Sequence, residues 1–158
     1  MIVDTAHSGH RWKSASAFVI FGFIAIIAAG FLAAVTASIP QRQIFWAIAY
    51  LVLVVGIAQI GLGTGQAWLA ERPTGTPTVT AQFVAFNLGN AGVIGGTFAD
   101  SPLLVDAGGV ALVISLVLFV WGTRGSTHNW LKTVYWILLG ILIVSIPIGL
   151  ILSHLRAG

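Results

Sequence analysis

Three histidines carry the most familiar cofactor chemistry in this chain. His7 and His10 stand three residues apart, so on a helix they would share a face, and His128 falls on the same side of the membrane in an alternating topology. Together they are weak candidates for a metal or heme site. Bis-histidine ligation in a helix bundle draws its imidazoles from facing spans, however, whereas these three lie in polar flanks, and His154 sits at the opposite end. Asp4 is the only carboxylate placed to orient them. Interfacial or hydrogen-bonding roles are the plainer expectation, and no metal or cofactor is predicted.

A second set of polar groups lies inside apolar sequence. Gln59, Thr64 and Gln66 fall in one stretch, Asn87 and Asn90 in the next, and Asp106 in a third. A polar side chain in hydrocarbon is costly unless it is paired. Gln59, Gly63 and Gln66 repeat at helical spacing, so the expectation is interhelical amide bonding toward Asn87, with a quinone or lipid contact as the functional alternative. Asp106 is the only acidic residue inside any of the long apolar stretches. It is expected to snorkel to the nearby surface; a proton-exchanging carboxylate is the alternative reading.

Composition decides what these groups sit in. Of 158 residues, 58% are hydrophobic and 7% charged, against the roughly one quarter charged that is normal for a water-soluble domain. That pattern is expected of an all-α polytopic membrane helix bundle. The whole chain, 1–158, is read as one transmembrane domain, because the polar breaks are too short to fold alone. A spanning helix needs about 20 apolar residues, and five stretches qualify, at about 15–39, 43–70, 80–99, 102–122 and 130–154. Every break combines Pro or Gly with polar residues. The break at Asp100-Ser101-Pro102 is the weakest, and a re-entrant third stretch would leave four spans.

With five spans, Arg11, Lys13, Arg72, Arg124 and Lys132 gather on one side and Arg42 and Arg156 on the other. The positive-inside rule then makes the N-terminus cytoplasmic and the C-terminus external, in the cell membrane. Trp12, Trp68, Trp121, Trp130 and Trp136 fall near the cytoplasmic interface and Trp46 near the outer one, as an aromatic belt should. The first stretch is expected to be a retained span, because no small-residue cleavage site follows it.

Small residues mark the packing faces. Gly61 and Gly65 on the second span and Gly89, Gly92 and Gly96 on the third permit close backbone approach where lipid offers no hydrophobic drive. The expectation is that these two spans touch each other or a partner chain.

Chemistry beyond this is sparse. Gly61-Leu62-Gly63-Thr64-Gly65 lies in an apolar span and lacks the lysine of a phosphate loop. No carboxylate pair or nucleophile with an orienting base stands out, so no catalytic residue is nominated. Zero cysteines exclude thiolate metal sites and disulfides. The seven basic and four acidic residues form no patch suited to nucleic acid.

The run Trp46-Ala47-Ile48-Ala49-Tyr50, then Gly56-Ile57-Ala58-Gln59-Ile60-Gly61, then Gly65-Gln66-Ala67-Trp68-Leu69-Ala70-Glu71-Arg72-Pro73 and Phe86-Asn87-Leu88-Gly89 resembles part of the small multispan relatives of heme-copper oxidase subunit I. It covers about a third of the chain. The family binds heme or copper through spanning histidines near the start of such a helix; the comparable positions here are Ile48 and Tyr50. The resemblance therefore implies a helical scaffold without those ligands.

The resulting expectation is a non-catalytic accessory subunit of a larger membrane complex, respiratory or otherwise redox, whose partners are other membrane subunits and lipids. A small oligomeric transporter or channel using Asp106 and the Gln/Asn stripe is the first alternative. A heme- or metal-binding membrane protein using the N-terminal histidines is the second.

Overall fold

The computed structural model describes residues 3–39, 41–70, 74–124 and 130–157; side chains are described for Trp12 and, within those ranges, from Ala15 to Gly149 and at Ile151. Among them the regular structure is entirely helical. In chain order it comprises α1 (Val3–Val35), α2 (Arg42–Tyr50), a π-helical segment (Leu51–Ala58), α3 (Gln59–Leu69), α4 (Thr76–Phe98), α5 (Pro102–Gly122) and α6 (Trp130–Ala157). The π segment joins α2 and α3 into one continuous rod, Arg42–Leu69.

Among the described residues, four helices are long and apolar enough to cross a membrane: Ala15–Val35, Arg42–Leu69, Pro102–Gly122 and Trp130–Gly149. The chain is a multi-pass helical membrane protein. The count differs from the five expected because of α4. Its 23 residues extend about 35 Å, but Thr76, Thr78, Thr80, Gln82, Asn87, Asn90 and Thr97 dilute its apolar character.

α1 buries Ala15, Phe18, Gly22, Ala25 and Ala29, alternating steps of three and four residues, and turns Phe23, Ile27 and Phe31 outward. This seam lies on the rod. A Cβ on Gly22 would stand 2.5 Å from Ile60 and 2.9 Å from the carbonyl of Gly56, and one on Gly63 would stand 2.5 Å from Phe18. Hydrogen at these positions is what lets the two helices close.

The π segment has a geometric cause. Along the rod the inward positions run Tyr50, Val54, Ala58, Leu62 and Gln66, four residues apart each time. In a 3.6-residue helix each such step would rotate the stripe by about 40°. A stretch with i→i+5 bonds holds more residues per turn, so it absorbs part of that drift and keeps one face inward from α2 into α3.

α4 and α5 form the closest helix pair. Their turn is a Schellman ending: the N–H of Ser101 donates to the carbonyl of Gly96 at 2.9 Å, and Asp100 takes the left-handed conformation at φ 48°. Aspartate tolerates that region better than most residues. Ser101 then precedes Pro102, which opens α5 with its ring φ already set. Three residues therefore suffice to reverse the chain.

The apolar core joins Phe18, Leu62, Phe86, Leu116, Phe119 and Leu139, among others, from α1, α3, α4, α5 and α6. Phe18 meets Phe83 and Phe119 edge-on, each with ring centroids 5.4 Å apart. Such contacts add about 0.5–1.5 kcal/mol beyond area burial.

Candidate functional site

The glycine faces do not meet as expected. Those of the third stretch seat α5: a Cβ on Gly92 would be 3.0 Å from Cα of Gly108, and one on Gly96 would be 2.7 Å from the backbone nitrogen of Val105. Gly89 lies under Leu112 and the carbonyl of Gly108. Those of the second stretch turn to α6, with Gly61 against Leu138 and Gly65 against the ring of Tyr135. The second and third spans do touch, through Tyr50 and Asn90, but these glycine faces do not seat on each other: they form two separate seams. Sequence spacing marks a close approach, but a missing side chain carries no information about which helix will use it.

The amide stripe differs too. Gln66 Nε2 donates to Thr74 Oγ1 at 2.8 Å, while Asn87 Nδ2 donates to the carbonyl of Phe83, one turn back on its own helix, at 2.9 Å. No bond joins Asn87 to Gln59 or Gln66. Gln59 is fully buried, and neither of its amide atoms has a hydrogen-bond partner; Oε1 of Gln66 and Oε1 of Gln82 are likewise buried without one. Apart from Asn90, the side chains that make helix-to-helix polar bonds are ones that the sequence pattern does not single out. Ser115 Oγ donates to the carbonyl of Gln82 at 2.9 Å, Gln82 Nε2 donates to the carbonyl of Leu118 at 3.0 Å, and Tyr50 Oη donates to Asn90 Oδ1 at 2.8 Å. Asn90 Nδ2 meanwhile donates to the carbonyl of Phe86 at 2.8 Å.

The bond between Tyr50 and Asn90 stands beside a cavity of about 790 Å³, within the range of small-molecule sites. It opens where α2 and α5 begin, α4 ends and α6 nears its C-terminus. Arg42, Gln43, Asp100 and Ser101 line its mouth. Trp46 and Tyr50, rings 5.0 Å apart, form part of one wall. Deeper in, Val54, Phe86, Leu112, Leu116 and Leu142 make it apolar. From Arg42 to Val54, or from Pro102 to Leu116, the helical rise gives a depth of about 18–21 Å.

α6 forms the looser side. It packs on α3 and α5, while Ser145 and Gly149 line the cavity and are themselves exposed. Pro147 between them has no N–H, so the carbonyl of Ile143 loses its intrahelical donor there.

Asp106 is half-buried on α5 but does not line this cavity; nor do Gln59, Gln66, Asn87 or Asn90. His7 and His10 fall on α1 with side chains outside the described residues, and His128 lies outside them altogether. Among the described residues no three His, Cys, Asp or Glu side chains gather as a metal cluster would require.

Comparison with family models, with curated proteins and with solved structures finds no match to this chain. The geometry alone carries the functional reading.

Proposed function

We propose that this protein is a non-catalytic membrane subunit that holds one amphipathic lipid-phase molecule, polar head at the mouth and hydrocarbon portion in the apolar depth. One observation carries the reading: charged and hydrogen-bonding groups at the mouth of the cavity give way, along about 20 Å of helix, to an aliphatic and aromatic interior. A molecule with the same polarity gradient is its complement. The short connections leave no room for a catalytic domain between the helices, which supports a holding or accessory role in a larger assembly of the cell membrane, a redox complex being the foremost context from the sequence resemblance.

Five spans, an N-terminus in the cytoplasm and an external C-terminus complete the proposal. α4 is counted as a span because it pairs with α5 along its length, from the bonds joining Gln82 to Leu118 and Ser115 at one end to Gly96 against Val105 at the other. Neighbouring helices supply the partners that its polar residues would lack in lipid. The cavity mouth then faces outward.

The test is purification of the tagged full chain in mild detergent, with mass spectrometry of co-eluting subunits and extractable small molecules. A retained amphipathic molecule at near-stoichiometric amount supports the reading. A chain that elutes alone and empty overturns it.

A further inference from the structure

We infer that the occupant is a zwitterionic phospholipid with a primary ammonium head, entering from the bilayer between α2 and α6. This rests on the reading that the cavity is occupied. The first argument is dimensional. The cavity holds about 790 Å³ and runs about 20 Å along its helices, a long and narrow shape. An extended hydrocarbon chain laid along the helices matches that shape.

The second argument is the direction of entry. On α6 a Cβ at Gly149 would meet nothing within 4 Å, and Ser145 beside it is exposed although both line the cavity. The lipid-facing side is therefore open near the mouth. A molecule can slide in without its chain crossing water.

The third argument is charge. Arg42, on the first turn of α2, and Asp100, at the turn between α4 and α5, line one mouth with opposite signs. A purely anionic head would bring its negative charge to Asp100. A neutral quinone ring would leave both charges without a matching group. A head carrying phosphate and ammonium meets both, with Gln43 and Ser101 as further hydrogen-bonding groups. The carboxylate of Asp100 accepts N–H donors, which a primary ammonium has and a quaternary one lacks. The Tyr50 hydroxyl is already given to Asn90, so with Trp46 it serves as an aromatic wall at headgroup level.

The test reconstitutes the full chain in nanodiscs of equal phosphatidylethanolamine and phosphatidylglycerol with added ubiquinone, followed by native mass spectrometry from mild detergent. The expected result is about one phosphatidylethanolamine per chain, preferred over phosphatidylglycerol by about tenfold, the scale of one charge-assisted bond. Asp100→Asn keeps a residue that tolerates φ 48° and should abolish the preference, while Arg42→Gln should weaken retention of both lipids. Gly149→Trp and Ser145→Trp, which fill the open side, should empty the cavity while circular dichroism and elution volume stay unchanged. Retention of phosphatidylglycerol or ubiquinone instead, lost in either Trp variant, overturns the head assignment but leaves the occupied cavity standing. A phosphatidylethanolamine preference unmoved by Asp100→Asn does the same. Retention unaffected by both Trp variants, or no retained amphipath, overturns both.

Discussion

Tyr50 on α2 donates its hydroxyl to Asn90 on α4 across 2.8 Å, joining residues forty positions apart and holding an aromatic ring at the wall of the cavity. Tyr50→Phe removes the donor and leaves Asn90 Oδ1 without it. Bonds between membrane helices average about 0.6 kcal/mol and reach about 1.7. A double-mutant cycle with Asn90→Ala should give coupling in that range by reversible unfolding in detergent. Coupling indistinguishable from zero would remove this bond from the account.

The seam between α4 and α5 should be the least forgiving part of the fold. A Cβ on Gly108 would lie 2.6 Å from the backbone nitrogen of Val93 and 2.7 Å from the carbonyl of Gly89. Backbone cannot yield as a side-chain tip can, so Gly108→Ala should cost about 2 kcal/mol or more. Gly140→Ala, with nothing within 4 Å of the added carbon, should be neutral. Equal thermal stability of the two variants would argue against a close α4–α5 contact.

Gln59 is expected to oppose stability. Its amide is fully buried with no partner on either atom, and leaving such a group unpaired costs about 1–3 kcal/mol. Gln59→Leu keeps similar bulk and should stabilise the chain by an amount in that range. A drop in unfolding temperature would mean that the amide has a partner worth keeping.

Asp106→Asn should leave lipid retention within about twofold of the parent, since α5 faces the cavity through Val105, Gly109, Leu112 and Leu116. Loss of a proton-coupled transport activity in this variant would instead favour a transporter.

Topology is open to direct labelling because the chain has no cysteine. With five spans, Ser38→Cys and Arg124→Cys lie on opposite sides of the membrane, and with α4 out of the membrane they share one. An impermeant maleimide should label Ser38→Cys in intact cells and Arg124→Cys only after permeabilisation. Labelling of both in intact cells would leave four spans.

Hydropathy was enough to find the long helices, because about 20 apolar residues can do little else in a bilayer. The partners of those helices were not legible. The amide stripe predicts Asn87 as the rung between spans, but Asn87 donates to the carbonyl four residues back, a local bond always within reach of a short amide, and it is Asn90 that reaches the second span, by accepting from Tyr50. Tyr50 draws notice only as a residue standing where the resembling family has a histidine, since nothing local links position 50 to position 90. Gly22, Gly56 and Gly108, which let neighbouring helices close, lack the four-residue spacing that drew notice to the others. Arg42 and Asp100 read as ordinary loop charges, and their shared cavity emerges only when the turns fold to the same end.

The eight π-helical residues Leu51–Ala58 also divide the second rod into two parts that can be indexed separately. Below them Gly63 and Gly65 lock α3 against Phe18 and Tyr135. Above them α2 carries Arg42, Trp46 and Tyr50 to the cavity. Removing one residue from this overfilled stretch and tightening the rest to ordinary winding would turn the upper part by about 45° relative to the lower. The rod would stay seated while its whole recognition face swung away. In this molecule the length of an apolar run, with no change in its chemistry, sets what the opposite end of the helix can touch.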